Sequence, residues 1–174
     1  CIASLAARFA AEHPVIIVSG DKDLKQCLGP NVYMWDPASK EEKLVSEADF
    51  TAESGVTPAQ WPDVQALIGD TSDNIPGVPG IGEKTALALI SKFGSLQGVY
   101  DNIEDKAVKP GQRAKLTANR DKADLSYMLG TIRRDAPIET DPSVYIRRPG
   151  DPAAAAQLLA ALEMLYDCLL YTSP

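Results

Sequence analysis

A single histidine and three scattered cysteines leave this 174-residue chain little thiol or soft-metal chemistry. Cys1, Cys27 and Cys168 form no CxxC pair and are odd in number, which excludes a zinc ribbon and a disulfide framework. His13 stands before Pro14 at the end of a helical stretch, the place of a surface residue rather than a catalyst. No apolar run approaches the roughly 18 to 20 residues that a membrane-spanning helix needs. The opening CIASLAARFAAEH has neither a basic leader nor a cleavage pattern, so a cytoplasmic protein without a membrane partner is expected. Positive charge is short as well, with 17 Lys and Arg against 24 Asp and Glu and a net charge of −7. Taken as a sum, that balance argues against a nucleic-acid partner. The distribution argues the other way, because Lys106 to Arg134 holds eight basic residues and two acidic ones.

What is present reads as one ordinary folded chain, 45% apolar and 24% charged. Ile2 to Ala11 has helical spacing and is stopped by His13-Pro14. Val15 to Ser19 (VIIVS) is β-branched and apolar throughout, as a buried parallel strand would be. Asp21 and Asp23 follow, beyond the carboxyl end of that strand, where functional groups gather in open α/β sheets. The same aspartates would serve equally as a strand-end turn capping Leu24 to Leu28. Asn31 to Asp36 predicts a second strand, and Pro37 to Ala48 a loop or weak hairpin. Thr57-Pro58 starts a helix through Ile68, with Trp61 on its apolar stripe as a core anchor rather than a base-stacking platform.

From Leu67 to Phe93 the chain reads LIGDTSDNIPGVPGIGEKTALALISKF. Asp70 and Asp73, three apart, would share one side of a helical turn and face one cation. Asn74 to Gly80, with two prolines and two glycines, is a tight connector. Gly80-Ile81-Gly82 then opens a helix to Phe93, and a glycine-rich turn before a helix aims N–H groups at an anion. After the break at Gly94-Ser95 a short helix runs from Leu96 to Asn102. Lys109 to Ile132 reads as basic and helical, with Leu116, Ala123, Leu125, Met128 and Leu129 on its apolar side. Asp141 to Pro152 is a Pro-rich linker, and Pro152 to Tyr166 a helix of Ala-Leu periodicity.

GDTSDNIPGVPGIGEKTA resembles the signature of the 5′ nucleases, the flap endonuclease and 5′-3′ exonuclease family, in the form found at the N-terminus of bacterial DNA polymerase I. KLTANRDKADLSYMLGTIRRDAPI resembles the closing helix and exit strand of that family's helix–three-turn–helix unit. The resemblance implies an α/β chain: the C-terminal remnant of a PIN-like (Rossmann-like) nuclease core over residues 1–66, then an all-helical helix-hairpin-helix DNA-binding unit over 67–140. Residues 141–174 would be a linker and helix, with a non-native tail from about 168. It implies further that Asp21, Asp23, Asp70 and Asp73 are catalytic metal ligands, and that Gly80, Ile81, Gly82, Lys84, Thr85, Arg113 and Lys115 hold the DNA backbone.

Two Mg²⁺ or Mn²⁺ ions per intact site are implied, since hard oxygen ligands suit these metals, with K⁺ at the glycine turn. The expected partners are duplex, nicked or 5′-flap DNA, bound by a monomer in the bacterial cytoplasm at the nucleoid, with a polymerase domain in the same parent chain. A Glu-x-Asp-Asp cluster of the family would precede Cys1, so the chain is expected to be an inactive fragment of a replication and repair enzyme. The competing expectation is a non-catalytic helix-hairpin-helix module, which gains nothing from four aspartates beside its anion site. A PIN-like ribonuclease fits the α/β part but not the long helical insertion.

Overall fold

The computed structural model describes residues 1–39, 43–147 and 149–164. They fall into two compact units, Cys1–Ile138 and a second that starts at Glu139. In the first unit, α1 (Ile2–Phe9) precedes β1 (Val15–Val18), which pairs in parallel with β2 (Val32–Trp35) in the register Val15 to Val32. A 3₁₀ segment, Lys22–Cys27, connects the strands. Met34 and Val45 exchange backbone hydrogen bonds of 3.0 and 2.8 Å, so the polar stretch after β2 does return as a weak hairpin. The expected burial of β1 holds on one face only. Ile17 is buried, while Ile16 and Val18 are 51% and 56% exposed, because helices cover a single side of the two-stranded sheet.

Helix α2 (Glu47–Ser54), for which the sequence reading names no helix, begins inside the expected loop at a reciprocal cap in which Ser46 Oγ accepts from Asp49 N and the Asp49 carboxylate accepts from Ser46 N. The cap is written in the sequence as Ser-x-x-Asp. After a 3₁₀ turn at Pro58–Gln60, α3 (Trp61–Ile68) runs through the middle of the unit with every residue from Trp61 to Leu67 buried. It packs against α4 (Glu83–Phe93), α5 (Leu96–Asp101) and, most extensively, α7 (Arg120–Gly130). Sheet-side and helical residues therefore share one core, which runs from Ala3 and Ile17 through Val64 and Leu67 to Leu116 and Ala123. Trp61 is an anchor of that core, edge-on to Phe50 at 5.5 Å.

The basic stretch is two helices rather than one, since α6 (Pro110–Ala118) ends at Asn119 before α7 begins. Its expected apolar side is only partly correct. Leu116 and Ala123 are buried, but Leu125, Met128 and Leu129 are 44%, 65% and 53% exposed. What α7 buries instead is Ala123, Ser126 and Gly130, small residues that let it approach α3 closely. In the second unit a 3₁₀ turn at Pro142–Tyr145 breaks the expected linker, and α8 runs Pro152–Ala161 from its Asp151 cap. Tyr166, Cys168 and the tail lie outside the described residues.

The connector from Gly69 to Gly80 is fixed by two glycines at positive φ, Gly69 at 72° and Gly77 at 58°. A Cβ on Gly77 would stand 2.4 Å from Gly69 N, and one on Gly69 would stand 2.6 Å from Ile75 O. Neither backbone can give way. Gly77→Ala should therefore destabilise by about 3 kcal/mol or more, whereas Gly111→Ala, with open space at its Cβ, should be neutral or stabilising by up to ~1 kcal/mol. Denaturant unfolding of the three chains checks this, and equal stability of Gly77→Ala and wild type would refute the packing.

Candidate functional site

The first group of candidate residues sits where β1 ends. Asp21 caps the 3₁₀ segment, its Oδ1 accepting from Asp23 N at 2.9 Å, so the capping role open in the sequence is real. Asp23 is half-buried, and its Oδ1 accepts from Gln65 Nε2 on α3. Burial raises the Asp23 carboxyl above its ordinary value, and the neighbouring charges of Asp21, Asp73 and Asp70 add to the rise against the lowering by Gln65.

Asp70 and Asp73 do not share a helical turn. Helix α3 stops at Ile68, Gly69 turns at positive φ, and Asp70 pairs through backbone with Ile75 at 2.9 and 2.8 Å, making a tight loop with Asn74 at φ 56°. Asp70 is 7% exposed and Asp73 is exposed, so the loop splits the pair by environment. Lys22 Nζ lies 2.6 Å from Asp70 Oδ2, and Ser72 donates to Asp70 Oδ1 through its N–H at 2.9 Å and through its hydroxyl. These donors, Lys22 foremost, hold the Asp70 carboxyl far below the usual carboxylate range. The same pair raises Lys22. Lys22 was not a candidate in the sequence, although its place between Asp21 and Asp23 was a visible signal.

Asp23 feels the charge of the other three carboxylates, yet among the described residues no three His, Cys, Asp or Glu groups are gathered closely enough to hold an ion between them. Their donor chemistry suits a hard cation, all oxygen and no sulfur or imidazole. The ammonium of Lys22 already occupies a cation's place at Asp70.

The second group surrounds the glycine turn. Gly80 takes φ +81°, Ile81 is buried with its N–H on Val78 O at 3.0 Å, and Gly82 caps α4. Lys115 Nζ reaches across from α6 to Gly80 O at 3.0 Å, which ties the first of the two basic helices to the turn. Lys84 and Thr85, in the first turn of α4, line a cleft of about 390 Å³ with Lys92, Lys109 and Gln112. Arg113 is not part of it. Its Nε donates to Ile103 O at 2.8 Å and its NH1 pairs with Glu104, so its guanidinium holds the turn between α5 and α6. Lys92 and Lys109 were missed in the sequence. Lys92 stands eight residues after Lys84 on the same helical face and was legible by period, whereas Lys109 arrives through tertiary folding.

An acidic group beyond the end of β1, a constrained connector, and a glycine turn held by Lys115 with a lysine-lined cleft at the start of α4 make this an α/β chain whose second half is helical. Residues 56–153 match the family described as "5'-3' exonuclease, C-terminal SAM fold", and the chain belongs to that family. It is 38% identical over 99% of its length to the thermostable DNA polymerase I of Thermus aquaticus, of which it covers 20%. It is 39% identical over 75% of its length to the 5′-3′ exonuclease of Halalkalibacterium halodurans, of which it covers 44%. The chain thus spans well under half of these relatives. In fold it is similar to the T5 5′-exonuclease solved with zinc, with a TM-score of 0.62 at 23% identity over 74% of this chain and 48% of that one. It is similar also to the catalytic core of Rad2 in complex with DNA, with a TM-score of 0.58 at 16% identity over 91% of this chain and 55% of that one.

The Lys22–Asp70 pair carries a pH signature. Asp70 is depressed on folding, so its contribution is complete above the ordinary carboxylate value near ~4 and is lost as pH falls through the folded value. Lys22 is raised, so its contribution is complete below about 10.4 and is lost as pH rises through its folded value. Lys22→Met should lower the thermal midpoint at neutral pH, with a gap from wild type that closes in acid. A gap of constant size from neutral to acid pH would rule the pair out as its source.

Proposed function

We propose that this chain is the carboxylate-bearing and DNA-gripping part of a metal-dependent 5′-3′ exonuclease and flap endonuclease of the DNA polymerase I type. The observation that carries this reading is that one compact unit, Cys1–Ile138, holds the four aspartates, the glycine turn held by Lys115 and the lysine-lined cleft at the start of α4. The break between 66 and 67 is a division of labour: residues 1–66 supply Asp21 and Asp23, residues 67–140 supply Asp70, Asp73 and the clamp, and α3 is common ground to both.

The substrate of this reading is duplex DNA with a nick or 5′ flap, gripped through its backbone and without base preference. The N–H groups of Gly80 and Gly82 and the ammonium groups of Lys84 and Lys109 face phosphates, and Lys115 fixes the turn. A K⁺ ion at this turn would have to compete with the Lys115 ammonium for Gly80 O. Asp21, Asp23, Asp70 and Asp73 would hold Mg²⁺ or Mn²⁺, which supplies an activated water and relief of phosphoryl charge. Lys22, which holds Asp70 Oδ2 at 2.6 Å, would have to yield that oxygen to such a cation. In a parent chain this part works beside a polymerase domain at the bacterial nucleoid, in replication and repair.

The second reading, a non-catalytic duplex-binding module, is favoured by Lys22, which already neutralises Asp70. The two separate in a parent-length enzyme. Asp70→Ala with Asp73→Ala should lower turnover on a flap substrate by on the order of 10²-fold or more, the scale of several kcal/mol of metal stabilisation, with duplex affinity nearly unchanged. Full turnover in the double variant would leave the non-catalytic module standing.

The clamp is tested on the chain itself. Lys84→Ala and Lys109→Ala should each weaken duplex binding evenly across sequences and reduce the slope of log K against log salt by roughly 1. Arg113→Ala should leave that slope alone and lower stability instead. An affinity for duplex that does not change with salt would remove the phosphate contacts from this reading.

A further inference from the structure

Two buried glutamines form a chain of hydrogen bonds that ends on a candidate metal ligand. Gln26, in the segment after β1, and Gln65, in the middle of α3, are 4% and 1% exposed. Backbone groups at the far end set the direction of the whole chain. Ile132 N can only donate, and it donates to Gln26 Oε1 at 3.1 Å. Gln26 Nε2 is therefore the amide's donor end, and it donates to Gly130 O at 2.7 Å and to Gln65 Oε1 at 3.1 Å. With its Oε1 taken as an acceptor, Gln65 must turn its Nε2 the other way, onto Asp23 Oδ1.

We infer that Gln65 is a positioning residue that pins one oxygen of Asp23 and leaves the other for a divalent cation, with its own orientation dictated through Gln26 by the end of α7. This rests on the reading of Asp23 as a metal ligand. A carboxylate on a short 3₁₀ segment has free rotation about its side chain, and an ion binding there must stop it. A donor already fixed in the core removes that cost, as outer partners of metal ligands do. Amide geometry serves better here than a lysine, because it orients Asp23 without cancelling the negative charge that the cation needs. Gln26 gives a second consequence. It ties Gly130 and Ile132, where α7 ends, to the segment that carries Asp23, so that the aspartate and the closing helix of the clamp have one shared reference point.

The experiment titrates Mn²⁺ into the chain and four variants, reading the dissociation constant by water-proton relaxation and the thermal midpoint in parallel. Asp23→Asn measures whether this aspartate binds the ion at all. Gln65→Met keeps the volume and removes the donor, and should raise the dissociation constant about 10-fold. Gln26→Met keeps Gln65 but removes the amide that sets its direction, and should lower the midpoint and raise the constant by about threefold, short of the roughly 10-fold of a lost outer partner; a constant equal to that of wild type would remove Gln26 from the inference. Should Gln65→Met not fold, Gln65→Asn keeps the amide but is too short to reach Asp23, and carries the same expectation for Mn²⁺. If Asp23→Asn weakens Mn²⁺ and the folded Gln65 variant does not, Gln65 is a structural residue alone and the inference fails while the metal reading survives. If Asp23→Asn binds as wild type does, or wild type does not bind, the metal reading at Asp23 falls and takes the inference with it.

Discussion

The structure depends on the complete burial of α3. From Trp61 to Leu67 no residue of this helix reaches solvent to any useful degree, although the segment includes an aspartate and a glutamine. A helix enclosed on all sides must find partners for its polar side chains among its neighbours, and those partners dictate what is packed where. Asp63 takes the N–H of Leu96 at 2.7 Å and so fixes the start of α5, at the cost of a carboxyl raised by burial. Gln65 takes Asp23 and Gln26. Among the side-chain nitrogens and oxygens of the described residues, only Trp61 Nε1 is buried without a hydrogen-bond partner, and the Lys25 ammonium lies over its ring at 5.1 Å.

The connector follows from the same helix. Val78 N donates back to Leu67 O at 2.8 Å, and Gly77 N donates to Ser126 Oγ on α7 at 2.9 Å, so the loop that carries Asp70 is held on one side by α3 and on the other by α7. Ser126 satisfies itself by donating to Lys122 O. The small face of α7 has a double use in this arrangement. It brings the helix close enough to α3 for the longest contact in the unit, and it places a hydroxyl where the connector needs an acceptor. A larger side chain at Ser126 would both separate the helices and orphan a buried N–H, a more costly combination than either alone.

Much of this was legible in the sequence, and the limits have physical causes. Both strands, the helix after Thr57-Pro58 and the glycine-opened α4 follow from local pattern, because period and punctuation report directly on backbone geometry. Face assignment on α7 was not legible. Hydrophobicity marks Leu125, Met128 and Leu129 as the inner side, while helix packing against an already filled α3 selects Ala123, Ser126 and Gly130 for their size. The pairing of Asp70 with Asp73 failed for a different reason: the three-residue spacing carries meaning only within a helix, and Gly69 had ended it. Arg113 looked like any other cation of a basic stretch. Its engagement by Ile103 O depends on a turn that no local rule specifies.

The acidic group poses the electrostatic problem on which the rest of the reading turns. Unscreened carboxylates at close quarters repel and resist ionisation, yet each of these meets a different donor. Asp21 is met by a backbone N–H, Asp23 by an amide and Asp70 by an ammonium, while Asp73 is left to solvent. The first two donors are neutral and leave the full negative charge available to an incoming cation. The third is charged and mobile at the end of a long stem, with its side chain 46% exposed. On the metal reading, a divalent ion at Asp70 would have to compete with Lys22, whereas one at Asp23 would leave Gln65 in place.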